Sequence, residues 1–347
     1  MTPERILVSR LRQIGDVILS LPLVDALRRH FPGARIDYLA EAAPAEAAIG
    51  HPALTRVHAL SRRFPARVLP ASPLLLSRLR AARYDWVIDL YGNPRSAAIA
   101  AFTGAPVRIG PDRRARRSLY THPVPSPGAV SAVAHHLHML QAVGIAEPPT
   151  APRLHLTEAE RREGRARLDA VLPPGRARVG LHVGNRWAAK RWPEERYAAL
   201  LRALPGIGAR GVVLAGPGEE ALALRVAERA ATAAEGHPAV LAALPLRQYW
   251  GALAALDALV TNDGSPLHAG PALGVPTVGI LGPTEPEIWF PYDRADGHQL
   301  LCREIWCRPC HRHECWRLDC LDWIDVRDAL EATRRALARG EALRASA

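Results

Sequence analysis

The stretch from residue 258 to residue 284 constrains the fold more than any other part of this chain. Residues 258–261 are short, apolar and β-branched, and Asn262-Asp263-Gly264-Ser265 breaks the run. Pro266 suits the first turn of a helix. Residues 267–273 continue that helix, Gly274 can stop it, and residues 276–281 read as a second buried strand. Gly282-Pro283-Thr284 then turns out of the sheet. In a parallel α/β sheet both polar loops lie at the carboxyl ends of strands, where ligands bind in the crevice at which the strand order reverses. Free N–H groups and the positive end of the helix dipole meet at that edge and favour a phosphate. Taken singly, Asp263 reads equally well as an N-cap, Ser265 as a turn residue and His268 as a surface histidine. Gathered at one sheet edge, they point to an anion site.

The rest of the chain repeats this alternation. Strands are expected at 6–9, 35–40, 56–60, 86–90 and 107–110, then at 177–182 and 211–215. Helices are expected at 16–30, 74–82, 157–172, 221–232, 246–256 and 326–343. Such alternation predicts doubly wound α/β architecture. The proline-rich segment 147–152 reads as a linker, so two domains, 1–152 and 153–325, are expected, followed by a C-terminal helix, 326–347. No self-similarity of solenoid length is present.

A net charge of +11 favours an anionic partner. Nucleic acid is disfavoured, because no recognised nucleic-acid module and no long basic run occurs. The densest basic cluster, Arg113, Arg114, Arg116 and Arg117, reads foremost as a solvated loop. The first residues lead almost directly into a strand without an apolar secretory core, so a cytoplasmic protein is expected.

Several residues stand out chemically. Gly15-Asp16 falls at a strand-to-helix turn. Asp16 either caps the helix or aims a carboxylate into a cleft as a general base. Among 45 cationic residues the single lysine is Lys190, in the loop Gly184-Asn-Arg-Trp-Ala-Ala-Lys-Arg-Trp-Pro193. A site that needs a compact point charge would retain such a lysine, although chance also leaves one lysine somewhere. His135, His136 and His138 lie on an expected helix, with a surface or acceptor-facing role and no convincing ligand spacing. All five cysteines fall within the loop 302–320. Cys307, Cys310, Cys315 and Cys320 follow C-x2-C-x4-C-x4-C, a spacing that suits a structural zinc. Free thiols and a disulfide or redox role are the alternatives.

Together the motifs resemble glycosyltransferase family 9, the ADP-heptose:lipopolysaccharide heptosyltransferases. The resemblance rests on Arg10-x4-Gly15-Asp16-Val17 with Pro22, on Lys190-Arg-Trp-Pro193, and on Thr261-Asn-Asp-Gly-Ser-Pro-Leu-His268 with Gly282-Pro-Thr284. The cysteine segment resembles that of the heptosyltransferase II branch, with a tighter final spacing. The family implies a GT-B architecture of two Rossmann-like domains facing across a cleft, with the C-terminal helix crossing back to the N-terminal domain. It implies inverting, metal-independent transfer from a nucleotide-diphosphate sugar, ADP-heptose, to an anionic lipopolysaccharide-type acceptor at the inner face of the membrane. Asp16 then matches the general base, and Lys190 the cation that meets the departing diphosphate. Asp263, Gly264, Ser265, His268 and Thr284 match the donor site, with Glu219 or Glu220 on the donor ribose. Arg10 falls near the acceptor or supports Asp16. Gly264 departs from the family pattern, which has Thr or Ser there.

Two other functions fit the same residues. One is a sugar-nucleotide epimerase or a GT-B transferase with a non-heptose donor. The other is a non-catalytic nucleotide- or saccharide-binding protein. An NAD-dependent dehydrogenase is disfavoured, since no Gly-rich fingerprint follows either domain's first strand.

Overall fold

A computed structural model of the chain describes residues 2–61, 71–234 and 236–345. It divides into two compact units, Met1–His155 and Leu156–Ala347. In the first unit β1 (Arg5–Ser9), β2 (Arg35–Glu41), β3 (Arg56–Leu60), β4 (Trp86–Asp89), β5 (Val107–Pro111) and β6 (His122–Val124) form one sheet in the order β3-β2-β1-β4-β5-β6. In the second, β7 (Ala177–His182), β8 (Ala209–Ala215), β9 (Ala239–Ala242), β10 (Ala258–Asn262), β11 (Thr277–Leu281) and β12 (Gln299–Cys302) follow the order β12-β11-β10-β7-β8-β9. Every pairing in both sheets is parallel. Each sheet therefore has the Rossmann order, with its reversal between the unit's first and fourth strands.

The central strands are buried on both faces, which is why they read as continuous apolar runs and not as alternation. Ile6, Leu7 and Val8 of β1 are fully buried, as are Ala258, Leu259 and Val260 of β10. Helices close by specific means. The helix Glu158–Val171 starts with a reciprocal Thr157/Glu160 capping box, a device that contributes about 1 kcal/mol. It crosses the helix Leu246–Leu253 where Gly164 meets Gly251, so closely that a Cβ on Gly164 would lie 1.9 Å from backbone.

Three strands escape sequence reading: β6, β9 and β12. All are short and lie at or next to sheet edges, and none shows a fully buried run. Pairing with a neighbour decides them, and local pattern does not. The C-terminal helix, Val326–Ala345, packs within the second unit on β10, β11, β12 and the helix Glu194–Ala203. It buries Ala329, Ala332, Thr333, Ala336 and Gly340 there.

Candidate active site

In the first unit the chemistry gathers beside the β1/β4 reversal. The chain leaves β1 at Ser9, and the helix Ile14–His30 begins after Gln13, whose φ is 66°. Asp16 is the third residue of this helix, so it is not the N-cap, a position that Gln13 holds. Its carboxylate instead meets Arg10, with Nη2 2.8 Å from Oδ2. The Arg10 guanidinium also lies 4.4 Å from the ring centre of Tyr91, in the loop after β4. Arg10 Nε and Nη1 are buried and have no hydrogen-bond partner among the described residues. Leaving a buried donor unmet costs about 1–3 kcal/mol, so these two groups stand ready for an acceptor.

His136 shares this feature. Burial and then the Arg10 charge hold it well below its ordinary value, and neither ring nitrogen has a hydrogen-bond partner among the described residues. Of the surface and acceptor-facing roles expected for these histidines, the surface one is corrected for His136, which is buried on the helix Ala132–His138. Arg113, Arg114 and Arg117 are exposed, as a solvated loop requires. Arg116 is half-buried and donates from Nε to Gly92 O at 2.9 Å.

The second unit builds its site beside the β7/β10 reversal. Lys190, at the end of a short turn after β7, places Nζ 2.5 Å from Asp263 Oδ2, in the loop after β10. Thr284, in the loop after β11, donates its hydroxyl to the same carboxylate oxygen. Asn185 Nδ2 donates to Asp263 O at 2.6 Å, and Asn185 Oδ1 accepts from Trp187 N at 2.9 Å. Asn262 ties the Lys190 loop to the sheet. Its Oδ1 accepts from Trp192 N and from Tyr197 OH, both at 2.9 Å, and its Nδ2 donates to Val183 O at 2.9 Å. Asp263 is 4% exposed, so the pair with Lys190 is largely desolvated.

The helix Ser265–Ala272 follows, one residue earlier at each end than its sequence pattern indicates. Gly264 is its N-cap in extended conformation, and a Cβ there would approach Asn185 Nδ2 to 3.1 Å. Ser265 is half-buried at the first helical position. His268 is buried, contrary to a surface role, with Nδ1 2.8 Å from Tyr292 OH. Burial lowers it to about 4, with Lys190 adding to the shift and Asp263 opposing it, so the ring is neutral near pH 7.

The two glutamates after β8 separate clearly. Glu219 turns inward: its Oε2 accepts from Gly216 N at 2.9 Å and lies 3.7 Å from His182 Nε2. A Cβ on Gly184 would lie 1.8 Å from that same oxygen, so this backbone position must be glycine for Glu219 to reach it. His182 is lowered to about 4 by burial and is 2.9 Å from Tyr249 OH through Nδ1. Glu220 is the first helical residue and accepts from Gly218 N at 3.1 Å, a local loop contact.

The cysteine loop joins this site. Cys310 N and His311 N donate to Pro283 O at 3.0 and 3.2 Å, and Arg308 Nη2 to Thr284 O at 2.8 Å. All five cysteines are free thiols. Burial pushes the Cys320 thiol up to about 11; Arg308 opposes this, while Cys307, Cys310 and Cys315 add to it. Among the described residues no group of three or more His, Cys, Asp or Glu has the arrangement of a metal site.

A family model described as glycosyltransferase family 9 (heptosyltransferase) matches residues 74–320. The chain belongs to glycosyltransferase family 9. Lipopolysaccharide heptosyltransferase 1 of Pseudomonas aeruginosa is 30% identical over 323 residues, covering 90% of this chain and 87% of the relative. The structure of E. coli ADP-heptose lipopolysaccharide heptosyltransferase II is similar at a TM-score of 0.80, with 24% identity, 97% of this chain and 99% of that one covered. E. coli heptosyltransferase WaaC with ADP-2-deoxy-2-fluoro heptose gives a TM-score of 0.67, with 23% identity, 94% of this chain and 98% of that one covered. The fold class of this family 9 enzyme is accordingly GT-B, with two Rossmann-like units, and the protein is a glycosyltransferase. Relatives of types 1, 2 and 3 are 30%, 28% and 25% identical, so identity alone does not assign this family 9 chain to one type.

Sequence reading names Asp16, Arg10, Lys190, Asp263, His268 and Thr284, and the structure brings these into two clusters, one per unit. It does not find Asn262, Asn185, Trp187 or Tyr91 as supports. Asn185 and Trp187 carry a signal in hindsight, since both stand in the same loop as the only lysine of the sequence.

Proposed function

We propose that the protein is an inverting heptosyltransferase that takes ADP-heptose as donor and a lipopolysaccharide-core or related saccharide as acceptor. The observation that carries this is the Lys190–Asp263 pair, with Thr284 on the same carboxylate, at the carboxyl edge of the second sheet. One ammonium N–H goes to Asp263, and the others serve the diphosphate oxygens. Glu219 holds the donor ribose, being the glutamate that faces the β7 end. Asp16, oriented by Arg10, takes the proton from an acceptor hydroxyl. That oxygen attacks the anomeric carbon from the face opposite the diphosphate, which departs with the bonding electron pair. Charge grows on the diphosphate in the transition state, and a fixed cation there contributes about 3–4 kcal/mol by analogy with oxyanion donors. The unmet Arg10 donors suit an anionic group on the acceptor.

In this reading no metal takes part in the transfer. The thiols Cys307, Cys310, Cys315 and Cys320, spaced C-x2-C-x4-C-x4-C, would draw together around a structural zinc, supplying a cross-link to a loop with little apolar content. Elemental analysis of protein purified without chelator tests this; near-zero metal with reduced thiols rejects it.

The acceptor's place is the cytoplasmic membrane face. No helix among the described residues is long and apolar enough to cross a membrane. Trp306 and Trp316 are 84% and 87% exposed, the kind of side chain enriched at membrane–water interfaces. Co-sedimentation with anionic vesicles should fall in Trp306→Ala; equal binding would remove this support.

The function itself is tested by following ADP release from ADP-heptose. Release that depends on a core-saccharide acceptor is expected. Isomerised donor without acceptor would favour an epimerase, and binding without any turnover a non-catalytic protein.

A further inference from the structure

The cysteine-rich loop does more than decorate the second unit. Its backbone clamps the diphosphate-side loop through Pro283 O, and His311 Nε2 lies 2.8 Å from Glu285 Oε1. A second set of contacts reaches the lysine. Ala189 N donates to His313 O at 3.0 Å. The His313 ring stacks on Trp187, with centres 3.9 Å apart and planes at 25°. Trp187 in turn lies under the Lys190 ammonium, 4.6 Å from ring centre to Nζ.

We infer that His313 is a positioning residue: it fixes the Trp187 ring, and through that ring and the Ala189 backbone it holds Lys190 on the donor diphosphate. This rests on the donor role of Lys190 proposed above. The physical reason is that the Lys190 stem is long and rotatable, and its charge must sit at one point when the leaving group departs. Asp263 fixes the ammonium from one side. An indole face attracts it by its quadrupole, but only if the indole itself is kept in place. His313 is exposed, so burial does not explain its orientation; the anchored loop and the stack do. The bond to Ala189 uses the His313 carbonyl and survives any substitution of the ring, which lets the stack be tested alone.

The test uses the full chain, ADP-heptose and a core-saccharide acceptor. His313→Ala should lower kcat/KM for the donor roughly tenfold, since small misplacements of a reacting group are expensive in rate. The KM for the acceptor should stay unchanged. His313→Phe, which keeps a flat stacking face, should restore most of the loss. Trp187→Ala and the double variant Trp187→Ala/His313→Ala should be equally impaired, because both break one chain of contacts. ADP affinity by calorimetry gives a second measurement that does not require turnover, and it should weaken in His313→Ala and recover in His313→Phe. Wild-type activity in His313→Ala, equal loss in the Ala and Phe variants, or additive losses in the double variant would each overturn the inference. Wild type that neither binds ADP nor releases it from ADP-heptose would instead overturn the functional reading, and this inference with it.

Discussion

The two units share one strand order and place their charged side chains at the same topological point, yet they are opposite in sign and in completeness. In the first, a carboxylate is held by an arginine that keeps two buried donors unmet. In the second, an ammonium is held by a carboxylate that is itself satisfied by Thr284. The sheet supplies the location, because strand reversal opens a crevice at the carboxyl edge whatever the loops contain. The loops supply the chemistry. Among the described residues the first cluster keeps two donors unmet, and the second is satisfied within itself.

The largest effect should separate the two clusters by function. Asp16→Asn should lower turnover roughly 10²–10⁴-fold, the range for loss of a general base, while ADP binding by calorimetry stays near wild type. A variant that loses donor binding as well would break the division of labour. Lys190→Ala should come next, with kcat lower by roughly 10²–10³-fold. It should also lower the melting temperature, since it strands a buried Asp263 carboxylate. Lys190→Arg should recover stability more than rate, because a planar fork does not replace a point charge. Unchanged stability in Lys190→Ala would show that the pair is not a preassembled unit.

A smaller effect should sharpen the donor side. Glu219→Gln should weaken ADP-heptose binding roughly tenfold, the scale of one hydrogen bond to a charged group, while Glu220→Gln leaves it unchanged. The reverse ranking in a binding titration would transfer the ribose role to Glu220. The smallest effect on turnover concerns pH and stability. His182, His268 and His298 of the second unit are each lowered to about 4, chiefly by burial, from an ordinary value of 6.5. The unfolded chain therefore takes up protons first as pH falls. Stability is full above about pH 6.5 and declines between there and about pH 4. Melting temperatures across that window should fall on acidification, and less steeply in His298→Gln. A slope identical to wild type would show that this ring does not carry the linkage.

Much of the architecture was legible because buried parallel strands and their loops write a strong local pattern. β3 and β7 match their expected ranges, and the helix expected at 157–172 is found at Glu158–Val171. Asp16, Lys190 and Asp263 were also legible, as polar residues placed where a strand ends. Their partners were not. Tyr91 is far from Arg10 in sequence, and Asn262 gathers the Lys190 loop from another strand. Nothing local distinguishes such an asparagine from a turn residue.

By itself the amino-acid order determined two α/β units, the strand ends at which polar chemistry collects, and the types of group available there. Tertiary structure decided which of those groups meet. It set the Asp16 carboxylate against Arg10, buried His136 and His268, and chose Glu219 over Glu220 for the inward position. The physical reason is that helix and strand signals arise from neighbours along the chain. Ion pairing, desolvation and ring stacking depend instead on distances across it, and those exist only once the sheets have formed.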